Sequence, residues 1–385
     1  VTHPTPAAGR IHLDNGSRAP WHPLARQAFL QALDDGWADP RRLHTEGRRA
    51  AALVDGAREA VAQVLGARTE EVRFTPSHTA ALHTAVAHVA RARRRHGSDV
   101  VVSAVERAAV LHAAEHAAAP GGRRVSVDVD SLGRVDAEAF AGALRHEGVA
   151  MAALQHANGE VGTLQPVDAV HEAALAAGVP LLVDAGASLG HTAVGPAWDV
   201  LAADPADWGG PAGVGISAVR HRTRTVATGP EGPEPWAPGG VSVPAVFAAA
   251  VALQAVVEDR VDADRRRREL VEHIRDRVSQ IRDVEVVGDP VERLPHVVTF
   301  SFLYVDGEAL VTELDRAGFA VGSGSACTAS TLEPSHVLAA MGVLTHGNVR
   351  IALDRSTARE DVDRFLQVLP GAVDRVRDML GVQGL

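Results

Sequence analysis

Apolar residues recur at helical spacing through Ala50 to Leu65 and again through Thr79 to Arg95. Between and after these helices the period changes: Glu71 to Phe74 reads as a short strand, and Asp99 to Ser103 is apolar and strand-like. Val149 to Gln155 and Pro180 to Asp184 read as buried strands, each entering a polar or glycine-containing loop. Strands alternating with helices predict an α/β fold with a mostly parallel central sheet, whose ligands sit at the C-terminal strand ends. The stretch ADWGGPAGVG, Ala206 to Gly215, reads as a strand end followed by a glycine-rich loop. Thr223 to Gly240, rich in Gly and Pro, is a surface excursion.

Val243 to Ile281 reads as one or two long helices leading to a second, smaller α+β unit. That unit runs strand (Val284 to Val287), strand (His296 to Phe302), helix (Gly307 to Ala317), and a loop with Cys327. A strand at Asn348 to Leu353 and a helix from Ala358 follow. The expected domains are an N-terminal arm (1–20), a large domain (21–245) and a small C-terminal domain (246–385) carrying the Cys327 loop.

Composition narrows the function classes. A hydrophobic content of 46% over 385 residues fits an ordinary globular protein. A net charge of −10 argues against nucleic acid or anionic membrane as partners. The runs Arg93 to Arg95 and Arg265 to Arg268 read as solvated helix faces. No apolar run is long enough for a membrane span, and VTHPTPAAGR does not read as a secretory signal. A single cysteine, Cys327, excludes an internal disulfide and points to a reducing, cytoplasmic setting. All 38 residues counted as Lys+Arg are arginine. A guanidinium stays protonated and supplies no amine for an imine, so no lysine side chain here can form one.

The strongest chemical signal is GSGSACTASTLEPSHVLAAMG, Gly322 to Gly342, which sets Cys327 among small residues that let a thiol protrude. With this motif the chain resembles the cysteine desulfurases, group I, in the class V aminotransferase family of fold type I pyridoxal-phosphate enzymes. The likeness runs from Ile11–Asn15 (IHLDN) to Val349–Arg355 (VRIALDR). It implies that Cys327 takes sulfur as a persulfide and that Arg350 clamps a substrate carboxylate. His44, Gly47 and Arg48 match a further family segment. Thr79 matches a threonine that holds the cofactor phosphate, although a threonine there is also a good helix cap. Glu106, Asn158 and Glu160 match as well. Asp184 matches the partner of the pyridine nitrogen, with helix capping as its alternative.

Departures cluster around the implied cofactor. Arg107 stands for a stacking histidine, Gly159 for an asparagine, and Ala187 for a glutamine. The family's Arg-x-Gly-Thr loop is reduced to Ala237-Pro238-Gly239-Gly240. Across the glycine-rich loop, Asp204, Ala206, Asp207 and Ala212 replace a serine, a histidine, the imine-forming lysine and a second lysine. Two carboxylates would repel a phosphate dianion. The sequence therefore predicts a degenerate site (Thr79, Arg107, Asn158, Asp184, Asp204, Asp207), no metal and no bound cofactor. The resemblance implies a homodimer, and the retained cysteine loop predicts that it relays sulfur through Cys327. The alternatives are a non-catalytic scaffold or regulatory partner of an active cysteine desulfurase or sulfur carrier, and new acid/base or metal chemistry from Asp204, Asp207, His78, His83 and His156. Their spacing matches no metal motif.

Overall fold

The computed structural model describes residues 9–381 apart from 17, 120, 230, 231, 233 and 325–333. Its largest sheet has seven strands: β2 (Val72–Thr75), β3 (Gly97–Ser103), β4 (Arg124–Val127), β5 (Gly148–Gln155), β6 (Leu181–Asp184), β7 (Val200–Ala203) and β8 (Gly215–Val219). Their order is β2-β8-β7-β6-β5-β3-β4. β8 runs antiparallel to both neighbours, and the remaining pairs are parallel.

Period-two burial explains why helices cover both faces of this sheet. Val101, Ala152, Leu154 and Val183 face one core with α1 (Pro23–Asp35), α2 (Thr45–Leu65), α5 (Ala137–Leu144), α6 (Val167–Ala177) and α7 (Val243–Glu258). The alternate residues Val100, Val102, Met151, Ala153 and Leu182 face a second core with α3 (His78–Arg93) and α4 (Ala108–Ala118). Strands apolar on both sides are what a buried parallel sheet requires.

The smaller sheet is antiparallel in the order β12-β10-β9, built from β9 (Val284–Val287), β10 (Val297–Phe302) and β12 (Asn348–Ala352). It packs with α8 (Arg260–Val278), α9 (Gly307–Arg316) and α11 (Arg359–Met379) around Phe300, Phe302, Leu310, Phe365 and Leu369. The N-terminal β1 (Ile11–His12) pairs in parallel with β11 (Phe319–Ala320), which ties the arm to this unit. The short α10 (His336–Met341) follows the segment 325–333.

One reading of the chain changes here, and another is narrowed. β7 ends at Ala203, and Pro205–Trp208 is a 3-10 turn rather than a strand end. Pro205 presets the backbone, and the Asp204 carboxylate accepts from the Ala206 N–H at 3.1 Å, so the chain turns at once. Gly209 closes the turn at φ 85°, with Pro20 O and His22 N each 2.9 Å from where a Cβ would lie. The stretch Val243 to Ile281 resolves into two helices, α7 and α8, meeting at Asp259.

Candidate functional site

Register places the chemistry. Gln155 lies beside Asp184, and Asp184 beside Ala202, so β5, β6 and β7 end together. Asp184, buried at that edge, is the centre of the site. His78 Nε2 is 2.9 Å from one carboxylate oxygen, and Arg107 Nε donates to the other at 3.1 Å. The Gly186 N–H donates to Oδ1 at 2.8 Å. Burial works against this charge, yet His78 and Arg107 outweigh it and hold the Asp184 carboxyl well below the usual carboxylate range. On the other side of His78, Nδ1 lies 4.0 Å from Asp204. Burial, followed by the nearby Asp207 charge, pushes the Asp204 carboxyl up, while His78 pulls it down.

His78 fits here because residue 186 is glycine; a Cβ there would meet its Cε1 at 2.3 Å. Two capping alternatives are corrected. Ser77, not Thr79, caps α3, its hydroxyl accepting from the Ala80 N–H at 3.1 Å, and Thr79 is exposed in the first turn. Asp184 closes a turn onto Gly186 and caps no helix.

Asp207 points elsewhere. It is buried, with His191 Nε2 at 3.0 Å from Oδ2. The ring stacks on His296 with centroids 3.9 Å apart. Arg267, also buried, approaches His191 Nδ1 at 2.9 Å and Asp264 at 2.7 Å. His191 and His296 were not singled out by the sequence, because nothing in their local pattern links residues of separate elements; Arg267, expected on a solvated helix face, is instead buried, because it reaches inward to His191 and Asp264. Of the histidines that were, His83 is exposed on α3. Burial lowers His156 to about 4.

The third group surrounds the cysteine segment. Cys327 itself lies outside the described residues. On one flank, the Gly324 N–H donates to Asn348 Oδ1 at 2.6 Å. On the other, His336 Nε2 is 2.9 Å from the Glu106 carbonyl oxygen. Asn158 ties the loops together, donating to Val105 O at 3.1 Å and accepting from the Glu160 and Val161 N–H groups at 2.8 and 2.9 Å. Arg350 pairs with Asp14 at 3.0 Å, and its buried Nε has no partner. His44 has a local task, accepting from the Gly47 N–H at 3.2 Å to cap α2.

An acidic strand end facing a helix N-terminus at the C-terminal edge of a mostly parallel sheet is the arrangement of a fold type I enzyme site. The chain matches the family model "Aminotransferase class-V" over residues 11–365 and belongs to that family. Within it, the chain is 32% identical over 376 residues to cysteine desulfurase IscS 1 of Archaeoglobus fulgidus, covering 96% of this chain and 98% of that one. It is 35% identical over 385 residues to a cysteine desulfurase of Cereibacter sphaeroides, covering 96% and 97%. Among solved structures, a NifS-like protein superposes with a TM-score of 0.86 at 25% identity, covering 97% of this chain and 99% of that one.

These likenesses overturn the expectation that no cofactor is bound. Similarity over nearly the full length, at 32–35% identity, to cysteine desulfurases, which are pyridoxal-phosphate enzymes, makes that group the one to expect here. Asp184, kept ionised, suits a protonated pyridine nitrogen, and the first-turn N–H groups of α3 with Thr79 suit a phosphate. Asp207 supplies no amine to its aldehyde. When bound, the group supplies an electron sink for amino-acid chemistry.

Proposed function

We propose that the protein acts in sulfur transfer as a relay, with Cys327 accepting persulfide sulfur and passing it on, rather than liberating sulfur through a lysine-linked imine. One observation carries this reading: both flanks of the cysteine segment are fastened to the site, through Gly324 on Asn348 and through His336 on Glu106. Arg350, two residues beyond Asn348, supports recognition of a carboxylate-bearing donor.

In the transfer, the Cys327 thiolate attacks the outer sulfur of a donor persulfide. A new S–S bond forms at Cys327, the donor S–S bond breaks, and the donor leaves as a thiolate, with no net oxidation. The absence of lysine from the chain supports an external source of that sulfur. Exposed apolar residues Trp21, Leu24, Leu30, Leu33, Trp37 and Leu43 support self-association, and a homodimer is the assembly proposed.

Incubation with an active cysteine desulfurase and cysteine, followed by intact-mass analysis, adds one sulfur to the wild-type chain and none to Cys327→Ser. A thiol that stays bare sinks the relay. Stable co-purification with a desulfurase or sulfur carrier, unchanged in Cys327→Ser, would instead establish the scaffold reading.

A further inference from the structure

His191 lies in the turn after β6, Asp207 in the 3-10 turn after β7, and His296 just before β10. They offer three ligand atoms that all lie within 4.8 Å of one another, and all three residues are buried. Two buried atoms of this group, Asp207 Oδ2 and His296 Nδ1, have no hydrogen-bond partner. His191 Nε2 is near Oδ2 at 3.0 Å, but its hydrogen bond runs to the Asp207 carbonyl oxygen at 3.1 Å. A buried polar atom left without a hydrogen bond costs about 1–3 kcal/mol, so two in one place point to a ligand. A cavity of about 410 Å³, lined in part by His191, Asp207, Trp208 and Asn15, opens beside them.

We propose that His191 Nε2, Asp207 Oδ2 and His296 Nδ1 bind one divalent transition-metal ion of the zinc type, with a further position open to the cavity. Two imidazoles and one carboxylate suit zinc, cobalt or iron, and suit calcium or magnesium poorly. Bonds of about 2.0–2.2 Å bring the three donors to within about 3.5 Å of one another, so the side chains close inward on the ion.

Arg267 opposes the ion, and this gives the proposal a sharp test. A guanidinium only donates, so its 2.9 Å bond to His191 Nδ1 leaves the ring proton on Nε2. Metal at Nε2 requires that proton on Nδ1 instead. The Arg267–His191 bond breaks, Arg267 keeps Asp264, and no proton leaves the imidazole. A side chain that accepts from Nδ1–H in place of Arg267 should tighten the site, because ligating histidines ordinarily donate their second N–H to an oxygen. The inference does not depend on Cys327 or on the relay.

The test is a cobalt(II) titration of the full chain, followed by zinc X-ray absorption. Wild type should take up one ion with a visible ligand-field band. Asp207→Asn and His296→Phe, the latter retaining a ring to stack, should weaken uptake by about a hundredfold, and Arg267→Gln should strengthen it by about tenfold. Wild-type uptake no tighter than that of His296→Phe overturns the site, as does an Arg267→Gln chain that binds no better than wild type. If a variant fails to fold, the zinc-loaded wild type decides alone: two imidazoles in the first coordination sphere support the assignment, and fewer than two refute it.

Discussion

Glu106 makes the stability of this protein depend on pH in a calculable way. Its side chain is fully buried; Oε1 accepts from the Gln155 N–H at 2.7 Å, and Oε2 has no partner. Burial, with the Asp184 charge adding to it against the Gln155 bond, raises its pKa from 4.5 to about 8. At neutral pH the folded chain holds a proton there that the unfolded chain has released. Because the folded state binds more protons between these two values, stability falls as pH rises, by about 1.4 kcal/mol per unit across most of the interval. From pH 5 to pH 8 the loss is about 3–4 kcal/mol.

Glu106→Gln keeps the shape and the acceptor for Gln155 but has no proton to lose. Urea unfolding at pH 5, 6, 7 and 8 should therefore show the variant gaining on wild type with pH, by about 3–4 kcal/mol over the series. A wild-type-minus-variant difference that stays constant across that range would refute a neutral, buried Glu106.

Asp184→Asn removes the charge that His78 and Arg107 share, at a cost of about 3 kcal/mol at pH 7 by calorimetry. Because the folded carboxyl lies below its unfolded value of 3.8, that difference should be full above pH 4 and shrink in stronger acid, and equal losses at pH 7 and pH 2 would contradict the pairing. Gly215→Ala would put a Cβ 2.2 Å from Ser77 O and 2.5 Å from Thr75 Oγ1. It should lower stability by about 2–3 kcal/mol and speed amide exchange in the first turn of α3, whereas an unchanged Tm would mean that β8 and Ser77 are not so tightly packed.

Much of the architecture was already determined by the chain alone. Residues 148–155 are apolar at every position but the ends, and helical spacing runs through 50–65, so the alternation of elements follows from local periodicity. Motifs such as the Gly322–Gly342 segment, Asp184 and Arg350 carried the family likeness, and the want of any lysine was plain from composition. Reading these departures together as the loss of the cofactor went too far, because Asp184 at the strand end and the first-turn N–H groups of α3 beside Thr79 remain.

Only the tertiary structure decided which charges meet. Asp184 takes His78 and Arg107 as partners because β2, β3 and β6 end at the same edge of the sheet, an order that no local pattern encodes. Ser77 rather than Thr79 caps α3 because the backbone turns there, one residue before the helix. Asp207 faces His191 and His296 because the β7–β8 turn packs against the start of a strand from the smaller sheet. Periodicity is a property of neighbouring residues. Pairing of buried charges depends on strand order and on the docking of the two units, and these bring together residues far apart in the chain.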